Sequence, residues 1–94
     1  MSDEKFKSVY GWDNPETWQI ALLLQNDFYS HAEGLKKESK TWIDMSDRIK
    51  DLFTDIREDA VVAGNPSSVR IVANIGSFHR VNWDQLGRAF FTDH

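Results

Sequence analysis

The sequence predicts an all-α fold, a compact bundle of four or five helices, on three observations. Apolar residues recur at spacings of three and four along most of the chain, and no strand signal competes. Two Asn-Pro pairs, Asn14-Pro15 and Asn65-Pro66, have the form of an N-cap followed by proline at the first helical position. Val81 to Leu86 carries a complete helix-start signature.

The first helix is expected from Pro15 to about Asn26, with Glu16 favourable in its first turn. Trp18, Ile20, Ala21, Leu22, Leu23 and Leu24 cover more than half its circumference, so it is expected to be the most buried helix. Asn26-Asp27 then reads as the cap of a short second helix holding Phe28, Tyr29, Ala32 and Leu35, with Gly34 weakening it. Ser39 or Thr41 opens the third and longest helix, running to about Ala60, and Thr41 with Asp44 resembles a capping box. Its apolar stripe is Trp42, Met45, Ile49, Leu52, Phe53 and Ile56. Ala63 to Ser68 is a loop. A fourth helix is expected from Pro66 to about Arg80, with an apolar face of Val69, Ile71, Val72, Ile75 and Phe78. In the last segment Asn82 caps, Gln85 reaches back, Val81 staples to Leu86, and the fifth helix runs to about Phe91.

Size and composition bound what such a bundle can be. A 94-residue chain of 10.9 kDa keeps about 5,600 Å² exposed of about 15,800 Å² unfolded, enough for one core. A single helical domain over 1–94 is expected, with residues 1–10 frayed. There is no cysteine, so neither a disulfide nor a thiolate zinc site supports the fold. No run reaches 18 apolar residues, and the start MSDEKFK lacks an apolar core, so a cytoplasmic protein is expected. The net charge of −4 argues against a basic nucleic-acid footprint.

Nothing in the sequence assembles catalytic machinery. His31, His79 and His94 fall in no metal-binding spacing, and His79 is expected on the apolar side of the fourth helix. Gly64-Asn65-Pro66-Ser67-Ser68 lacks the Lys-Ser or Lys-Thr of a phosphate loop. Asn26 and Asp27 are too few oxygens for an ion site. The expectation is a non-enzyme with no metal and no cofactor.

The third helix is the informative element. With Asp44 set at 0°, Asp47 falls at about 300°, Asp51 at about 340°, Asp55 at about 20° and Glu58 at about 320°. Five acids thus share an arc of about 80°, opposite the apolar stripe. Asp47–Asp51 and Asp51–Asp55 are like-charge i,i+4 pairs, each costing a few tenths of a kcal/mol. Arg48 interrupts the row once, while Lys50 and Arg57 lie on its flank. Asp55, Glu58 and Asp59 also crowd the C-terminal end, where the helix dipole disfavours anions. Successive acids lie about 4.5–6 Å apart along the axis, comparable to the ~6–7 Å between phosphates of one strand. Such a face either keeps a small protein dispersed or fits a basic groove on a partner. Trp18 and Trp42 are expected in the core; Trp12 and Tyr10 either cover the end of the bundle or supply an apolar anchor for a partner.

Asn14, Thr17, Trp18, Ile20, Leu22, Asn26 and Asp27 match a signature of the form Asn-x-x-Thr-Trp-x-(Val/Ile)-x-Leu followed by Asn-Asp. In this the chain resembles small accessory proteins carried by phages and plasmids. Val81-Asn82-Trp83-Asp84-Gln85-Leu86 is similar to the C-terminal segment of the same proteins. The two matches cover about a third of the chain, counted from the residues quoted. The resemblance implies a mobile-element accessory protein and carries no catalytic residues with it.

Joined to the acidic row, the resemblance leads to an expected function. The protein binds and inhibits a host nucleic-acid-processing defence complex of the kind targeted by anti-CRISPR or anti-restriction proteins. Asp44, Asp47, Asp51, Asp55 and Glu58 would meet the partner's basic groove, with Trp12 or Tyr10 as anchor, and no direct contact with nucleic acid or membrane. Two alternatives stand beside it. A nucleic-acid-binding regulator would use Arg70, Arg80 and Arg88, which outnumber Asp84 and Asp93 by one, on two helices joined by a tight turn at 80–82. A structural protein would self-assemble through an aromatic patch.

Overall fold

The computed structural model describes residues 11–92; the expectation of a frayed 1–10 segment lies outside them. Among the described residues there are five α-helices and no strand: α1 (Pro15–Gln25), α2 (Tyr29–Glu38), α3 (Trp42–Glu58), α4 (Pro66–Ile75) and α5 (Trp83–Thr92). The all-α bundle is therefore as expected. A π-helical turn, Asp59–Ala63, extends α3, and a 3-10 turn, Phe78–Arg80, precedes α5.

The helix starts follow the side chains that satisfy them. Asn14, in extended conformation, accepts the Thr17 amide through its side chain at 2.8 Å. Thr41 accepts the Asp44 amide at 3.1 Å, and Asn65 accepts the Ser67 amide at 3.0 Å. Pro15 and Pro66 sit at the first helical turns, where a missing N–H is no loss.

Three local expectations are corrected. Asn26-Asp27 does not cap α2: its N-cap is Phe28, without a side-chain bond. The Asn26 side-chain amide instead donates back to the Leu22 carbonyl at 2.9 Å and closes α1. The fourth helix stops at Ile75 rather than near Arg80, because Gly76 takes φ 90°, a conformation few other residues adopt. Phe78 still lands against the core from the turn that follows, which is why the apolar period outruns the helix. His79 consequently lies exposed on that turn and not on an apolar helix face.

The core is one cluster built from every helix: Ile20, Ala21, Leu24, Ala32, Met45, Ile49, Phe53, Ile75, Val81, Leu86 and Phe90. The Val81–Leu86 staple is buried at both ends. Trp18 and Trp42, expected in the core, are only half-buried. Trp42 instead lies under the Arg88 guanidinium, 4.2 Å from its ring centre.

The most extensive contact between elements is α3 against α5. It is permitted by Gly87, which is buried and faces the start of α3. A methyl group at Gly87 would overlap the Ser46 hydroxyl and fall 2.6 Å from the Trp42 carbonyl oxygen.

The two motifs from opposite ends of the chain meet. Thr17 is fully buried; its hydroxyl donates to Asn14 Oδ1 at 2.7 Å and accepts the Asn82 amide at 2.9 Å. Asn14 Nδ2 donates to the Arg80 carbonyl at 2.6 Å. Asn82 Oδ1 accepts the Gln85 amide at 3.0 Å, and Asn82 Nδ2 donates to Asp13. The Gln85 side chain does not reach back to Asn82 as a capping box would. It accepts the Asp13 amide at 3.0 Å and donates to the Gly11 carbonyl at 3.1 Å. The N-terminal ends of α1 and α5 are thereby laced together, with the Asn82 amide satisfied by Thr17 instead of by Gln85. Thr17→Val keeps the shape and orphans that amide, so a loss of about 1–3 kcal/mol is expected in urea unfolding. A loss below about 0.5 kcal/mol would show that the lacing adds nothing to stability.

Candidate functional site

The acidic row sits on the one long helix whose inner face is fixed by the core. Met45, Ser46, Ile49 and Phe53 are buried along α3. Burial of that stripe leaves Asp47, Asp51, Asp55 and Glu58 exposed on the opposite side. Among the described residues none of these four makes a side-chain hydrogen bond or an ion pair. Their spacing of 4, 4 and 3 residues keeps them on one face over about 17 Å. Lys50 and Arg57 are exposed beside the row, and the Arg57 guanidinium lies 5.7 Å from the centre of the Phe78 ring.

Asp44 stands apart from the other four. Its side chain accepts the Lys40 amide at 3.2 Å and holds Arg48 Nε at 3.3 Å. Arg48 in turn reaches Glu38 at 3.0 Å. Asp44 therefore fastens the start of α3 to the end of α2, and its charge is locally compensated. Asp59 is also structural: it accepts the Ser68 hydroxyl at 2.8 Å and braces α4 against the π turn.

Of the two expected aromatic anchors, Trp12 packs against α5. Trp12 is half-buried and stacks on Phe90, with centroids 6.1 Å apart and planes 19° from parallel. It covers the bundle end, the packing reading of this residue. Tyr10 lies outside the described residues.

The arginines of the alternative nucleic-acid reading are largely engaged within the fold. Arg80 Nε pairs with Glu16 at 3.3 Å, and Arg88 covers Trp42. The connection from Ile75 to Trp83 holds a 3-10 turn, so the tight turn expected at 80–82 is absent. The helix-turn-helix likeness fails with it.

Among the described residues no group of three or more histidine, cysteine, aspartate or glutamate side chains gathers to hold a metal. A hollow of about 270 Å³ between α1, α2 and α5 is lined by Leu24, Gln25, Tyr29, Ala32, Glu33 and Phe90. Its lining includes one carboxylate, one phenol and one carboxamide side chain. None of the described helices is long and apolar enough to cross a membrane.

The residues that sequence reasoning missed are Ile43, Val61 and Val62. These three are apolar yet exposed by 56%, 76% and 85%. For Ile43 the signal was present in the sequence, since on the wheel it lies about 80° beyond the nearer edge of the apolar stripe of α3. Comparison with protein families, with curated proteins and with solved structures gives no match to this chain.

Proposed function

We propose that this is a small accessory protein of mobile-element type that inhibits a host nucleic-acid-processing complex by occupying its basic groove with α3. The observation that carries the reading is the row Asp47, Asp51, Asp55 and Glu58, exposed and in no ion pair among the described residues, on one face of a helix anchored along its other side. A face selected only for dispersal gains from interspersed signs, and here two like-charge i,i+4 pairs are retained at some cost to the helix. Asp44 is removed from the contact set, because Arg48 and the Lys40 amide already hold it. The protein acts by binding, without catalysis or cofactor, in the cytoplasm of its host.

A groove built to hold phosphates presents lysine and arginine at intervals the acid row can meet. Opposite long-range fields would speed encounter and make the complex sensitive to salt. The test is affinity capture of the tagged full chain from host lysate, washed at low and at high salt. The expected result is one nucleic-acid-processing complex, retained at low salt and shed at high salt. Recovery of the chain alone under both washes would contradict the proposal and favour self-assembly.

A further inference from the structure

Among the described residues, three of the four large exposed aliphatic residues lie along α3 and the turn that extends it, the fourth being Val69 on α4. Ile43 lies one helical turn before Asp47, and Val62 lies one turn after Glu58. The order along one face is thus Ile43, Asp47, Asp51, Asp55, Glu58, Val62, over about 28 Å. Val61 stands beside Val62 on the flank.

The turn that carries the valines is built and held. Gly64, at φ 68°, closes the π-helical segment by donating its amide to the Asp59 carbonyl. The Asp59 carboxylate accepts the Ser68 hydroxyl at 2.8 Å and ties the segment to α4. Val61 and Val62 stand exposed on this braced segment, where polar residues would serve solubility better.

From this arrangement we infer that the α3 face docks a protein partner whose row of lysines and arginines, about 17 Å long, is flanked at each end by an apolar recess. The recesses receive Ile43 at one end and Val62, with Val61, at the other. The inference rests on the proposed function and refines it: the apolar anchors are Ile43 and Val62, in place of Trp12 and Tyr10. Charge complementarity selects the occupant. A second copy of the chain would oppose its own four free acids to four more, so a symmetric pair through this face is repelled. A nucleic acid is repelled for the same reason. A basic protein surface matches the acids, and its recesses remove the branched side chains from water. The aliphatic ends also fix register, which a row of like charges leaves free to slide.

The test uses the full chain and two synthetic helical peptides, followed by titration calorimetry at low salt. One peptide presents lysines every fourth residue along one face; the other adds a leucine one turn beyond each end of that lysine row. The leucine-flanked peptide should bind about tenfold more tightly. Ile43→Ser with Val62→Ser should erase that gain and leave affinity for the plain peptide within twofold, with the circular dichroism of the chain unchanged. Asp51→Lys with Asp55→Lys should abolish binding of both peptides. Leucines that add less than twofold, or a gain that survives in the serine variant, would overturn the inference while leaving the acidic-face reading intact. Failure of both peptides to bind the wild-type chain would overturn the two together. A wild-type dimer in sedimentation that the serine variant dissociates would assign the face to a second copy and overturn the basic partner.

Discussion

Gly87→Ala lowers stability by about 3 kcal/mol or more, despite replacing a helical glycine with the best helix former. Propensity alone favours the substitution by about 1 kcal/mol. The opposing term is steric. The added methyl overlaps the Ser46 hydroxyl and meets the Trp42 carbonyl oxygen at 2.6 Å and Ser46 Cβ at 2.7 Å. The Ser46 hydroxyl cannot swing away freely, because it donates to that same carbonyl at 3.0 Å. The carbonyl belongs to the first turn of α3 and moves only with the helix. α3 and α5 must therefore separate along the most extensive contact in the fold. Overpacking of this kind costs about 1–3 kcal/mol even where side chains can yield, and here one obstacle is backbone. For a domain of this size the melting temperature should fall by about 12–24 °C. Two controls isolate the mechanism. Gly34→Ala, on the exposed side of α2 with nothing within 4 Å of the new methyl, should stabilise by about 0.5–1 kcal/mol. Ser46→Gly combined with Gly87→Ala should recover part of the loss. A melting temperature for Gly87→Ala within 3 °C of wild type would show that the close approach of α3 and α5 is not required.

Asp51→Lys with Asp55→Lys abolishes partner binding, a loss of at least about 100-fold, with the fold retained. Each reversal adds two units of charge, so the pair moves the net charge from −4 to 0. Both residues are exposed and bonded to nothing in the described chain, so no native contact is broken. One repulsive i,i+4 pair becomes attractive and the other stays repulsive, so helix stability changes by a few tenths of a kcal/mol. Against a basic groove, two contacts turn from attraction to like-charge opposition, which costs several kcal/mol. Asp44→Lys behaves differently: it removes the clasp to Arg48 and Lys40 and should act through stability instead. Binding by the double reversal at wild-type affinity would show that the row serves only to keep the chain dispersed.

The parts of the fold that were legible are those governed by local chemistry. Asn14, Asn65 and Asn82 each cap the helix they were expected to cap, and Thr41 does so of the two candidates Ser39 and Thr41, because a short side-chain acceptor satisfies the first free amides whatever surrounds it. What was not legible depends on distant residues. Gln85 looked like half of a capping box, yet Thr17, 65 positions from Asn82, took its place and released Gln85 to hold Asp13 and Gly11. The length of α4 was overread because apolar periodicity continues through Phe78 while the backbone turns at Gly76. In the candidate site the acidic row was visible from the wheel alone. The separation of Asp44 and Asp59 from it was not, since Asp44 is held by the Lys40 amide before α3 and by an Arg48 that also reaches Glu38 of α2, and Asp59 by Ser68 of α4. Of the apolar ends of the row, Ile43 could be read from the wheel of α3, while Val61 and Val62 sit on the π turn, which no spacing rule announces.

The most direct measurement of the central claim is displacement. The captured host complex is loaded with labelled nucleic acid and titrated with the wild-type chain and with the Asp51→Lys, Asp55→Lys variant. Inhibition through α3 predicts that the wild-type chain releases the label, that the concentration required rises steeply with salt, and that the variant releases none. A ternary complex that keeps the label bound at saturating wild-type chain, or equal release by the variant, would contradict it.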